Sequence, residues 1–184
     1  MSAGYSGGTV LRGVDFEAWS GEVALVTGAT ATGKSSLIHL LRLVLRPRGG
    51  EAIVLGADAA KLSGGRLARA KRRIGYVAEN PTFVEQASTY ENIALPLKLA
   101  GRKAVDYAED VRALIAYVGL NAAADEPAWR LSMAERRRAA IARALAAKPE
   151  LVLADAPTSG LAPEAVATLA GLSLGSAASG VEPG

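Results

Sequence analysis

A chain of 184 residues, half of them hydrophobic and 21% charged, has the size and texture of one globular domain and excludes a fibrous or low-complexity chain. It has no cysteine and a single histidine, which excludes disulfides, thiolate metal centres and a histidine-based metal cluster. The formal charge of +3 comes partly from two basic runs, 66–73 and 136–138. No Phe, Tyr or Trp is interleaved with them, so they read as solvated helix faces and no nucleic-acid partner is expected.

In chain order, short apolar runs bounded by turn residues predict strands over 14–19, 22–27, 52–55, 74–78 and 151–154. Helical spacing predicts helices over 34–45, 92–100, 105–118, 134–147 and 163–172, the last with a proline near its start. Pro47, Pro81, Pro127 and Pro149 all fall between these elements, as expected of a residue without the N–H that an interior position needs. The fold class is therefore α/β. The longest apolar stretch, 37–45, is interrupted by Arg42 and is too short to span a bilayer. No N-terminal signal pattern precedes the first motif, so a cytoplasmic location is expected, with both ends fraying.

The sharpest local signal is EVALVTGATATGKSS over 22–36, an apolar run leading into G-x-x-x-x-G-K-S and then into a helix. This is the pattern of a phosphate-binding loop. Gly28, Ala29, Thr30, Ala31, Thr32, Gly33, Lys34, Ser35 and Ser36 are the candidate nucleotide-binding residues. Successive backbone N–H groups and a helix N-terminus form an anion nest, Lys34 adds a point charge for the outer phosphates, and the Ser35 hydroxyl is suited to Mg²⁺. Ala31 stands where many such loops carry glycine, and a positive φ there would be strained. Further on, LVLADAPT delivers Asp155 to the carboxyl end of a buried strand, where open α/β sheets bind ligands. Asp155 is the second candidate metal residue.

Taken with YSGGTVLRGVDF, RRIGYVAEN, TYENIALPLKLAG and LSMAERRRAAIARALAAKPELVLADAPTSGL, these stretches resemble an ABC transporter ATPase, most of all the FtsE, LolD and MacB branch, across most of the chain. The resemblance implies a P-loop ABC-type nucleotide-binding domain over 1–174, with a helical subdomain at about 81–127 and a flexible tail at 175–184. It implies ATP and Mg²⁺ as cofactors and Tyr5 as the aromatic that stacks on adenine. It also implies a homo- or heterodimer with another ABC ATPase, and a permease-like or FtsX-like integral membrane subunit that holds the chain peripherally at the inner face of the membrane.

Departures from the family pattern fall on the handling of the outer phosphate and the attacking water. Ala156 stands where the family has a water-polarising glutamate, and loss of such a base lowers the rate by roughly 10²–10⁴. Glu79 stands at the glutamine of the Q-loop, bringing a negative charge that either repels the ligand or serves as a substitute metal ligand or catalytic carboxylate. The signature LSGGQ reads LSMAE over 131–135, with only Ser132 of the phosphate-facing residues kept. The D-loop aspartate is Ala162, no later histidine supplies the switch residue, and His39, on the helix after the loop, does not replace it. The expected function is therefore an ATP-binding subunit with impaired hydrolysis. An ATPase working beside an intact sister subunit and a vestigial domain are the alternatives, and a small-molecule kinase is a distant fourth. Because the family's later strands have no counterpart, the core sheet is expected to be incomplete and the chain marginally stable or oligomeric.

Overall fold

The computed structural model describes residues 2–5, 8–29 and 32–155. They fall into two compact units, one ending at Lys71 and the other beginning at Arg72.

The first unit opens with β1 (Ser2–Tyr5) and β2 (Gly8–Leu11), paired antiparallel. β1 also pairs antiparallel with β3 (Pro47–Gly49), giving the order β2-β1-β3. Pro47 opens β3, a position that tolerates its missing N–H. A two-residue hairpin follows, β4 (Ile53–Val54) against β5 (Ala57–Asp58). Its turn residues Leu55 and Gly56 have φ of 50° and 77°, the left-handed pair that a tight turn matching strand twist requires. The expected run 52–55 thus contributes only its middle to a strand. The basic run 66–73 falls largely on α2 (Gly64–Arg72), whose only buried residue is Ala70, so it is a solvated face.

Helix α1 (Lys34–Leu41) is shorter than the predicted 34–45. Apolar residues continue past Leu41, but the backbone turns left-handed at Leu43, with φ of 59°. There Leu43 N–H donates to Leu40 O and Val44 N–H to His39 O, a Schellman closure. A left-handed leucine is unfavourable by itself. Burial of the Leu43 side chain offsets that, beside the buried Leu37, Leu40, Leu45, Val54 and Leu62 of the same unit.

The predicted strands at 14–19 and 22–27 are not formed. The segment from 14 to 28 is irregular, with one turn in which Glu22 N–H donates to Trp19 O and Trp19 N–H donates to the Glu22 carboxylate. Trp19 is 71% and Leu25 47% exposed. An apolar run makes a strand only where a second segment completes its ladder, and none of the described strands pairs with this one.

The second unit is built on a parallel pair, β6 (Ile74–Val77) and β7 (Leu151–Ala154), in register from Ile74↔Leu151 to Val77↔Ala154. Between them run α3 (Thr89–Leu99), α4 (Ala108–Tyr117) and α5 (Met133–Ala146). α5 packs against α3, α4 and β6. Ile93, Leu97, Val111, Ile115, Leu120, Ala139 and Ala142 form its innermost layer. Small residues let α5 approach closely: a Cβ added at Gly75 of β6 would sit 2.5 Å from the Ala144 carbonyl oxygen. α3 begins three residues before its predicted start of 92. Ser88 Oγ accepts from Glu91 N–H (3.1 Å) and the Glu91 carboxylate accepts from Ser88 N–H (2.9 Å). This capping box was legible as S-T-Y-E. The predicted helix at 163–172 lies outside the described residues.

The described strands form two- and three-stranded pieces, in keeping with the incomplete sheet expected from the sequence.

Candidate functional site

The sequence-predicted site residues divide between the two units. In the first, Gly28 has a φ of 152° and a Cβ added there would press to 3.1 Å on Thr32 Oγ1, so the loop closes tightly at a residue without a side chain. Thr32 Oγ1 donates to Ala29 O at 2.9 Å. Gly33 is left-handed (φ 95°, ψ 6°) and serves as the N-cap of α1, and Leu37 N–H donates to its carbonyl at 2.9 Å.

Two features leave this helix start suited to an anion. No side chain caps it and no acidic residue occupies its first turn, so the first-turn N–H groups and the positive end of the helix dipole are not already answered by a carboxylate. The Lys34 ammonium folds back over the loop, donating to Gly28 O at 2.8 Å and to Ala29 O at 2.5 Å, and lies 3.4 Å from Thr32 Oγ1. That places the one cation of the motif over the carbonyls at the start of the loop.

Ser35 is exposed at the start of α1. Ser36 is 7% exposed and faces inward with Leu37 and Leu40, so its hydroxyl is a poor candidate and its contribution would come through its backbone N–H. His39 lies further along α1. Tyr5 ends β1, with its backbone paired to Gly8. Thr30, Ala31, Ala156 and Ala162 lie outside the described residues.

In the second unit the parallel register brings two carboxylates to the same end of adjacent strands. Asp155 follows β7 directly, and its N–H donates to Val77 O at 2.9 Å. Glu79 comes two residues after β6 and is exposed. This is the carboxyl end, where ligands of open α/β sheets bind. Among the described residues no group of three or more His, Asp or Glu is arranged to hold a metal ion. Of the sequence-predicted metal residues, Ser35 belongs to the first unit and Asp155 and Glu79 to the second.

The signature stretch forms the start of α5. Ser132 is the N-cap, with φ −61° and ψ 162°. Its Oγ accepts from Glu135 N–H (3.3 Å) and donates to Glu135 Oε2 (2.7 Å), while Ser132 N–H donates to the same oxygen (2.9 Å). These bonds, first the one from the hydroxyl, hold the Glu135 carboxyl below the usual range, and Arg138 adds to the effect. Met133 is 54% exposed.

Around this helix start an ionic frame holds the loop after β6. Arg136 makes a two-pronged bond to Glu85 (2.9 and 2.6 Å), and Arg143 stacks on Phe83 and donates to Thr82 O (2.7 Å). Burial pushes the Arg143 guanidinium down from its ordinary value. Asn92 is buried at the centre of the same loop: its Oδ1 accepts from Val84 N–H (2.8 Å) and its Nδ2 donates to the carbonyls of Val84, Ala87 and Ser88. Sequence reasoning missed Asn92 as the loop's organiser. An asparagine in a helical run is usually a surface residue, and only its complete burial shows the role.

Residues 11–159 match the protein family described as ABC transporter. The methionine import ATP-binding protein MetN of Cupriavidus metallidurans is 37% identical over 168 residues, which is 89% of this chain and 49% of that protein. The chain thus spans about half the length of the curated relatives it matches. Two solved structures share the fold at 25% identity. The dimeric ATP-binding cassette MJ0796, in a post-hydrolysis state bound to ADP and Pi, has a TM-score of 0.79 over 91% of this chain and 77% of that one. The cbiO1 subunit of Clostridium perfringens, part of the transporter complex cbiONQ, has a TM-score of 0.77 over 93% and 68%. The MetN relatives form a branch neighbouring the FtsE, LolD and MacB branch of the sequence resemblance.

Proposed function

The chain belongs to the ABC transporter family, and on that footing we propose that it is an ATP-binding subunit that retains its grip on Mg-ATP and has lost most of its capacity to hydrolyse it. The observation that carries the first half is the geometry of the loop before α1: a left-handed Gly33 cap, a helix start without side-chain cap or carboxylate, and the Lys34 ammonium over the loop carbonyls. Gly28 to Ser36 would hold the phosphates through backbone N–H groups, with Lys34 countering their charge. Ser35, Asp155 and Glu79 would share the metal, and Tyr5 would stack on adenine.

When bound, Mg-ATP supplies a phosphoryl group whose charge the metal draws together. The chain's own contribution to cutting it is weak. Ala156 cannot accept a proton from water, a loss of roughly 10²–10⁴ in rate. Met133 and Ala134 place side chains where the family signature has glycine, and each donor withheld from developing charge lowers the rate by roughly 10²–10³.

In this reading the nucleotide-binding domain covers 1–174, with the helical subdomain at about 81–127 and a tail from 175. No helix among the described residues is long and apolar enough to cross a membrane. We therefore place the chain at the inner face of the membrane through a permease-like or FtsX-like subunit, paired with itself or with another ABC ATPase. The methionine import relatives favour an importer; the motifs TYENIALPLKLAG and LSMAERRRAAIARAL favour an FtsE- or LolD-like complex.

The test is equilibrium binding of Mg-ATP to the chain and to Lys34→Ala, followed by measurement of released phosphate. Binding that Lys34→Ala weakens by at least tenfold, with ATP recovered intact, is the expected result. Steady phosphate release by the chain alone would sink the claim of impaired hydrolysis. Release that begins only on adding a second ABC ATPase subunit would favour the alternative of a paired, active ATPase. Absence of binding in both proteins would leave a vestigial domain.

A further inference from the structure

Helix α3 ends in a Schellman closure, with Gly101 left-handed at φ 77°, Gly101 N–H donating to Lys98 O and Arg102 N–H to Leu97 O. The chain continues through a short 3₁₀ turn (Ala104–Asp106) into α4. Every residue over 98–106 is exposed, the longest such run among the described residues.

Two kinds of side chain alternate along this turn. Val105, at 83%, and Leu99, at 77%, are the two most exposed large hydrophobic residues described. Single exposed apolar side chains are ordinary, but these two are interleaved with Lys98, Arg102 and Lys103. Among the described residues none of those three cations forms an ion pair. Arg102 donates to the backbone carbonyl of Asp106 at 3.0 Å. Asp106 is the only carboxylate in the run, and Asp110 beyond it is held by Lys148 at 2.8 Å. Lys98 near the end of α3 answers the helix dipole. That role accounts for one cation and leaves Leu99, Arg102, Lys103 and Val105 without a structural reason to be where they are.

We propose that the turn between α3 and α4 is a lipid-contact site, at which Leu99 and Val105 enter the outer edge of an anionic bilayer while Lys98, Arg102 and Lys103 lie among its headgroups. Long basic side chains suit that boundary, because their stems lie along apolar surface while their charged ends stay wet. The negative potential of an anionic leaflet attracts the same cations. A protein partner fits less well. A stable protein interface takes about 20–30 residues from each side, whereas the exposed run holds nine. A bilayer sets no such requirement, since a few apolar side chains and a few cations give a weak, additive and reversible attachment. The site would supplement a hold through a membrane subunit with a contact of the chain's own, and it does not depend on nucleotide binding.

The experiment is flotation of the full chain with vesicles of phosphatidylcholine alone and of phosphatidylcholine with phosphatidylserine in equal parts, at low ionic strength. Three double variants accompany it: Arg102→Gln with Lys103→Gln, Leu99→Gln with Val105→Gln, and, as a control for net charge, Arg66→Gln with Arg69→Gln on the exposed face of α2. All six positions are exposed, and circular dichroism checks that each variant folds.

The chain is expected to float with the phosphatidylserine vesicles only, with amide exchange slowed over 98–106. Removing both cations of the turn should lower the partition by about 25-fold, roughly fivefold for each. Removing both apolar side chains should lower it by at least about tenfold, and the α2 control should lower it by less than either. Absence of flotation would overturn the proposal, and so would an equal loss in the α2 control, which would reduce the effect to net charge. Flotation unaffected by Leu99→Gln with Val105→Gln would also overturn it. Dissolved phosphoserine that slows exchange over 98–106 as much as the vesicles do would show headgroup binding without a bilayer. Self-association of the chain that Leu99→Gln with Val105→Gln abolishes would make the turn an interface between copies. Either result counts against a lipid contact, and both leave the reading of the Lys34 loop untouched.

Discussion

Gly75→Ala is the substitution for which the structure fixes both the sign and the size. Gly75 is the second residue of β6, and its ideal Cβ position lies 2.5 Å from the Ala144 carbonyl oxygen and 3.0 Å from Pro149 Cγ. The first distance is about 0.9 Å short of the 3.4 Å at which ordinary contact begins, and the obstruction is backbone, which has no rotamer to move away. β6 cannot retreat easily. It is laddered to β7 along four residues, and the chain entering β7 is held by Glu150 N–H on Arg73 O and by the two-pronged Arg73–Glu150 bond. α5 must therefore back off, loosening contacts that bury Ala139, Ile141 and Leu145.

Overpacking of this kind destabilises by about 1–3 kcal/mol, against a total stability on the order of 5–15 kcal/mol. That corresponds to a fall in Tm of roughly 2–12 °C for a chain of this size. Urea denaturation followed by circular dichroism measures it, with Gly65→Ala as the internal control. Gly65 lies in α2, a Cβ there meets nothing within 4 Å and its φ is not positive. The same chemical change should therefore stabilise by about 0.4–1 kcal/mol. A Gly75→Ala midpoint indistinguishable from that of the parent chain would refute the close approach of α5 to β6.

The other predictions concern the loop after β6 and the response to acid. Asn92→Ala strips the Val84 N–H and three carbonyls of their partner, which should lower stability by about 1–3 kcal/mol and speed amide exchange at Val84; unchanged exchange there would contradict the role given to Asn92. The Glu85, Glu91, Glu135 and Glu150 carboxyls are all held below their ordinary value, by Arg136, by Ser88, by Ser132 and by Arg73 respectively. A depressed carboxyl contributes stability above its unfolded value, near 4.5, and loses it as pH falls through the folded one. The urea midpoint is thus expected to stay level from neutrality down to about pH 5.5 and to fall below about pH 4.5. A midpoint that rises on acidification would show that these pairings are absent in solution.

Local signals are legible in the sequence where a few consecutive residues satisfy one another. Gly28, Gly33 and Lys34 carry a phosphate-loop pattern whose backbone turns and lysine contacts are local to the loop. Ser88 and Glu91, like Ser132 and Glu135, close both bonds of a capping box within four residues, a signal that the predicted starts of 92 and 134 left unused. Leu151–Ala154 is a strand where its apolar run predicts one, because β6 lies alongside it in parallel. The exposed basic run on α2 also follows from composition alone.

What lay beyond the sequence depends on partners distant in the chain. The runs at 14–19 and 22–27 have strand composition, yet no described strand offers them a ladder, and apolar pattern alone cannot supply one. α1 stops at Leu41 because core packing compensates a left-handed leucine, a trade that no propensity scale contains. The pairing of the basic run at the start of α5 is likewise tertiary. The sequence shows three consecutive arginines at 136–138, but only the structure shows Arg136 committed to Glu85 and Arg138 to the carbonyls at the end of α4. Covalent neighbours determine which bonds a backbone turn can make with itself. Which charges and ladders remain unanswered is decided only when distant segments have been brought together.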